Sequence, residues 1–181
     1  MMLKEFKPSF VFLAKFLVIY VVGNTLYGIY IESFVQQPDR ITAVVASQTS
    51  FALNTCGAET YVEQNTVGPT VLLKENGRVM LNIFEGCNGI NVMIIFVAFI
   101  VAFGGPRKPM LWFLILGLAI IHVSNLFRIS LLYYVARFFR DYFYYVHKYF
   151  FTGILYLIVF ALWTMWVLRF NDKKASKLES A

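Results

Sequence analysis

The chain has little cysteine and little histidine, two of each among 181 residues. Cys56, Cys87, His122 and His147 stand far apart, without the close ligand spacing of a zinc site. No Cys-x-x-Cys pair occurs, which removes the usual dithiol of disulfide exchange. A phosphate-binding glycine loop is also missing, as are internal repeats and low-complexity tracts. These absences argue against a metal, against a cofactor and against a second domain. A single unit over 1–181 is expected.

Apolar residues are what the chain has in excess: 59% hydrophobic and 18% aromatic, with mean hydropathy +0.66. Soluble domains are only about half apolar. A hydrocarbon core about 30 Å thick requires roughly 20 mostly apolar residues in a helix. Four segments meet or approach that length, about 9–31, 87–104, 110–132 and 149–168. The second is short and carries Asn91. The expected fold is an all-α polytopic membrane protein of about four transmembrane helices, with the lipid bilayer as its first partner. The first segment is too long for a signal-peptide core and no small-residue cleavage site follows it, so it reads as an uncleaved span. Its Gly23 and Gly28 read as points of close helix packing.

The net charge of +6 does not point to nucleic acid, because the basic residues flank spans. Lys4 and Lys7 precede the first, Arg107 and Lys108 separate the second and third, and Arg169, Lys173, Lys174 and Lys177 follow the fourth. That distribution puts both termini in the cytoplasm. The loop 32–86, with six acids against Arg40, Lys74 and Arg78, then faces outward. Arg137, Arg140 and Lys148 go against the rule by lying on the same outer side.

Within that loop, Ile41–Cys56 has helical spacing and is expected to lie as a helix near the membrane. Thr70–Phe84 forms two β-like runs around Glu75-Asn76-Gly77-Arg78, and Asn-Gly between apolar runs signals a two-residue hairpin. The hairpin delivers the chain to FEGCNGIN (Phe84–Asn91). Tyr133–Phe151, in which eleven of nineteen residues are Tyr or Phe, reads as an aromatic belt along the interface.

Topology brings three reactive groups to one depth. Cys87 opens the second span, Arg128 nears the end of the third, and His147 precedes the fourth, all on one side. An ionisable group within a span usually faces a cavity or a partner. Ser124, Asn125 and Arg128 share a helical sector, as do Cys87 and Asn91. Taken singly, Cys87 reads as a nucleophile, half of a disulfide or a small packing residue. Arg128 alone reads as a snorkelling cation and His147 as an interfacial histidine. Together they form a coherent set: a thiolate to attack an acyl carbon, an imidazole to move protons, and a cation for the oxyanion. Arg128 and a helix N-terminus are expected to lower the Cys87 pKa. Gly86 and Gly89 would let backbone amides approach a substrate carbonyl. Glu85 reads either as a support for a nearby cation or as a solvated loop acid. His122 lies deeper and about 120° round from Arg128, which favours an interhelical hydrogen bond.

The order CNG (Cys87–Gly89), NLFR (Asn125–Arg128) and His147 before a last span resembles the exosortase/archaeosortase family of membrane transpeptidases, over about residues 60–168. The short variety called type F is the nearest likeness. Asn88 stands where that family more often has Ser or Ala, and the chain has fewer spans than larger members. The resemblance implies a Cys–Arg–His triad on the outer face of the cytoplasmic membrane. By it, Cys87 forms a thioester acyl-enzyme, His147 shuttles protons and Arg128 stabilises the oxyanion or thiolate. Glu85, Asn88, Gly89, Asn91 and Asn125 are the expected supporting residues. The implied partners are membrane-anchored proteins with a C-terminal sorting signal, an amine acceptor and a companion membrane protein. The rival reading is a non-catalytic assembly protein closed by a Cys56–Cys87 disulfide.

Overall fold

A computed structural model describes residues 2–34 and 37–179, with side chains over 6–34, 37–148 and 152–169. The flanking Lys4, Lys173, Lys174 and Lys177, and Tyr149 at the start of the expected fourth span, lie outside the described side chains. Helix α1 (Met2–Glu32) is followed by α2 (Arg40–Thr55), strands β1 (Thr60–Gln64), β2 (Val71–Glu75) and β3 (Arg78–Ile83), and a single 3-10 turn, Glu85–Cys87. Then come α3 (Ile90–Phe103) and α4 (Arg107–Phe138). A broken stretch follows, made of a 3-10 turn (Arg140–Tyr142), α5 (Phe143–Tyr145) and a π-helical turn (Val146–Phe150), before α6 (Phe151–Glu179).

Among the described residues, three helical stretches are long and apolar enough to cross a membrane: Phe6–Glu32, Arg107–Phe138 and Arg140–Arg169. The second expected span, 87–104, is not among them. Its helix starts at Ile90 and has 14 residues, about 21 Å at 1.5 Å rise, short of a full hydrocarbon core. Gly89, at φ +84°, sets its start, because FEGCNG (Phe84–Gly89) is spent on the turn that leads in.

The molecule divides into a cap and a bundle, strung along α4. In the bundle, Phe96 and Ile100 of α3, Ile121 of α4 and Val159, Leu162 and Trp166 of α6 form one core. Phe99 stacks on Trp163 at 4.3 Å, and the Trp166 indole N–H donates to the Gly104 carbonyl at 3.1 Å. Helix α1 lies along α3, with Phe12 edge-on to Phe99 at 5.4 Å. A Cβ on Gly23 would come within 2.8 Å of Ile94, so close packing is confirmed there, whereas Gly28 faces open space.

The cap buries Val45, Ala46 and Leu53 of α2 against Val71, Leu73, Leu81 and Ile83 of the sheet and Ile129, Leu132 and Tyr133 of α4. Alternate residues of β2 and β3 point inward, as period-two alternation requires. The hairpin is where the Asn-Gly signal puts it: Asn76 (φ 48°) and Gly77 (φ 76°) both take the left-handed conformation. Strand β1 is the addition. It pairs antiparallel with β2, making a sheet of order β1-β2-β3 rather than a lone hairpin. An isolated hairpin is marginal in water, and the third strand, tied to α2 by Asn54–Thr60 hydrogen bonds, supplies the missing support.

The aromatic segment is also corrected. Helix α4 continues through Tyr133–Phe138, and Tyr133 is fully buried, its hydroxyl donating to Glu75 Oε1 at 2.6 Å. Arg137 binds the same carboxylate at 2.8 Å. A buried acid on β2 thus recruits the end of α4 into the cap. Only from Phe138 onward are most of the described rings exposed, as in a belt.

Candidate active site

Cys87 ends the turn that links β3 to α3, so the sheet fixes its height and α3 its direction. Two amides lock that turn. Asn88, 1% exposed, donates from Nδ2 to the Tyr27 hydroxyl (2.7 Å) and Thr42 Oγ1 (3.0 Å). Its Oδ1 accepts from the Ile90 backbone N–H at 3.0 Å. Asn125 of α4, fully buried, donates from Nδ2 to the Cys87 carbonyl at 2.8 Å. The residues flanking the thiol are therefore held from α1, α2 and α4 at once.

His147 sits on the π-helical turn, where one extra residue per turn changes the direction in which its ring points. Its Nε2 lies 3.9 Å from Cys87 Sγ, and its ring packs on Phe143 at 5.7 Å between centroids. Arg128 lies one turn after Asn125, between the two cores, and is 9% exposed. Its Nη1 reaches Asn125 Oδ1 at 3.5 Å, and its buried Nε has no hydrogen-bond partner among the described residues. A buried guanidinium N–H left unpaired costs free energy, so its retention points to an acceptor that arrives from outside.

The thiol, imidazole and guanidinium placed at one depth from sequence are thus drawn together. One expectation changes sign. Cys87 lies ahead of α3 and is buried, and burial pushes its thiol above the ordinary range; Arg128 pulls it down by less, and Glu85 adds a smaller upward push. Among the supporting residues, Asn88 and Asn125 lock the turn. Gly89 serves the left-handed helix start, where an added Cβ would lie 3.2 Å from Asn125. Gly86 is exposed with the Phe84 ring beside it. Glu85 is partly buried and forms no ion pair among the described residues. Asn91 is exposed on the first turn of α3. Sequence reasoning missed Tyr27 and Thr42. Tyr27 had a signal, as a polar ring near the outer end of an apolar span. His122 forms its interhelical bond, to Gln48 at 2.9 Å. Cys56 and Cys87 are both free, Cys56 exposed and Cys87 buried, so the disulfide of the rival reading is not formed. No cluster of metal-ligating side chains occurs among the described residues.

A cavity of about 610 Å³ opens onto Cys87 and His147, bounded by β3, by Ile129 and Leu132 of α4, and by the stretch 140–148.

The fold and site define a multi-pass membrane protein with a thiol–imidazole pair beside a buried cation. The family model described as transmembrane exosortase matches residues 8–167. The chain belongs to the transmembrane exosortase family, and membership points to a peptidase or transpeptidase role in protein sorting. No curated protein and no solved structure matches the chain.

Proposed function

We propose that the protein is a cysteine transpeptidase that cleaves C-terminal sorting signals of exported proteins and passes the new carboxyl end to an amine acceptor. The observation that carries this reading is the 3.9 Å approach of Cys87 Sγ to His147 Nε2, with the buried Nε–H of Arg128 left without a partner among the described residues. Because burial keeps the thiol protonated at rest, His147 acts as a general base during attack instead of holding a preformed thiolate. The Cys87 proton passes to His147 as sulfur bonds to the scissile carbonyl carbon. Arg128 Nε–H meets the oxyanion. Collapse breaks the C–N bond, and His147 returns the proton to the leaving amine. An acceptor amine then attacks the thioester, forming a new amide and regenerating the thiol.

The same reading takes α3 as a short fourth crossing and this chain as a member of the type F variety. It sets the protein in the cytoplasmic membrane, with both termini inside and the site facing out. The basic residues at Lys7, Arg107, Lys108 and Arg169 support that orientation. The test is to trap a covalent adduct on Cys87 during turnover and identify its peptide by mass spectrometry. Cys87→Ala, Arg128→Ala and His147→Ala each abolish processing, while Cys56→Ser spares it. Normal processing by the Cys87→Ala protein would end the mechanism.

A further inference from the structure

Strand β3 is a sheet edge: among the described residues β2 is its only partner, so a row of its backbone N–H and C=O groups has no neighbouring strand there. The opposite edge, β1, faces no reactive group, and its Glu63 is paired across to Lys74 at 2.6 Å. The β3 edge runs along a trough. The cavity at Cys87 shares Val79, Met80, Arg140, Phe143 and Tyr144 with a second cavity of about 830 Å³ that reaches the Asn76–Gly77 turn. One wall is β3, the other is the stretch 140–148, and α4 forms the floor.

The two ends differ in chemistry. Near Cys87 the lining is mainly apolar, with Ile83, Phe84, Ile129 and Leu132. The far end holds Arg78, Arg137, Glu75 and Asp141, and Arg140 stands where the two cavities join. Glu75 is satisfied by Arg137 and Tyr133, whereas Arg78 and Arg140 are exposed and in no ion pair among the described residues.

We propose that the β3 edge is the substrate-binding element, and that it takes the extended peptide preceding the scissile bond as an added strand. This rests on the transpeptidase reading of Cys87. The acyl portion of the substrate ends at the attacked carbonyl, and β3 also ends beside Cys87, so the added strand runs parallel to β3. Six residues of β3 span about 20 Å and accommodate about six residues of substrate. Main-chain hydrogen bonds supply affinity without regard to sequence, and side-chain pockets supply selectivity. The residues beside the cut are apolar. An acidic residue lies about four to six positions ahead of it, opposite Arg78 and Arg140. The portion leaving on the other side of the cut, the anchor helix, has no place in the trough and stays in the bilayer.

The test uses the full chain in detergent micelles and six-residue peptidyl chloromethyl ketones, apolar next to the warhead and carrying Asp at the far end. The readout is the rate of Cys87 alkylation by intact mass, divided by the iodoacetamide rate of the same protein. N-methylation of alternate amides slows the normalised rate about tenfold, as expected for the loss of two or three backbone hydrogen bonds. The Arg78→Glu/Arg140→Glu protein loses about three- to tenfold toward the Asp probe and gains toward a Lys probe. Equal normalised rates for all probes, on a Cys87 that iodoacetamide alkylates, overturn strand docking and leave the transpeptidase reading standing. A Cys87→Ala protein that still processes cargo overturns both. A dimeric mass in the micelle together with equal probe rates would assign the edge to a second copy instead.

Discussion

The cap and the bundle solve the same packing problem in different solvents. The cap has the composition of a small soluble domain: Val, Leu and Ile from α2, the sheet and α4 are withdrawn from water. Polar groups that cannot escape burial there are paired, as Thr60 is with Ser50 and Asn54. The bundle has few such pairs and relies on aromatic contact and close approach, as in Phe99 on Trp163 and Gly117 against Phe96. In lipid no hydrophobic force drives helices together, so shape and dispersion carry that half. Helix α4, about 48 Å long, is the only element with residues in both cores among the described residues. The site lies on the seam: Asn125 and Arg128 occupy the turn of α4 between Ile121 of the bundle and Ile129 of the cap. The proposed reaction, from a membrane-anchored substrate to an amine acceptor, suits such a boundary.

The comparison can be broken at the seam first. Removing the Arg128 cation or the His147 base abolishes processing, a loss of more than about 10²–10³ in rate, while the protein remains folded in micelles, measured on a tagged cargo by gel shift. A fall of only a few-fold would put both side chains outside the chemistry.

Truncations in the two cores sharpen it next. Leu73→Ala in the cap costs about 3 kcal/mol of stability, the sum of lost transfer energy and a cavity. Ile121→Ala, equally buried in the bundle, costs less, because lipid tails compete for the same dispersion contacts. Denaturant titration of the reconstituted proteins reads both, and equal losses would erase the distinction.

Asn88→Ala tests the lock between the halves. It removes the amide donor from the Tyr27 hydroxyl and from Thr42 Oγ1 and lowers stability by about 1–3 kcal/mol. Processing falls through misplacement of Cys87, and Cys87 alkylation by iodoacetamide becomes faster as the turn loosens. Unchanged alkylation would make Asn88 a bystander.

The smallest effect is on titration. A thiol pushed up by burial is thiolate only above the ordinary range, so Cys87 alkylation keeps rising with pH beyond the range of an ordinary thiol. Arg128→Gln removes the opposing cation and moves the Cys87 profile further up in pH. A downward shift would mean that the guanidinium does not act on the thiol.

Much of this was legible in one sequence. The Asn-Gly turn was readable because two adjacent positive φ angles are available to few residue types. The three long spans were readable because lipid forces every backbone group into intrahelical bonds. Strand β1 was hidden, since TYVEQ has weak alternation and gains its place from pairing with β2 and bonding to Asn54. Tyr133 was read as a belt residue because burial beside Glu75, 58 positions away, leaves no local trace. The thiol of Cys87 was expected low because its neighbours are cationic; only the depth of its burial reverses the sign.

Sequence by itself determined the apolar surroundings, the long helices and the approach of Cys87, Arg128 and His147 to one level, because hydrophobic length and helical rise are properties of the local chain. Tertiary structure alone decided that the thiol and imidazole stand 3.9 Å apart, that Asn88 and Asn125 lock the turn between them, and that β3 ends at Cys87 with one edge unpaired. Those facts come from contacts between residues up to 61 positions apart, which no local propensity encodes.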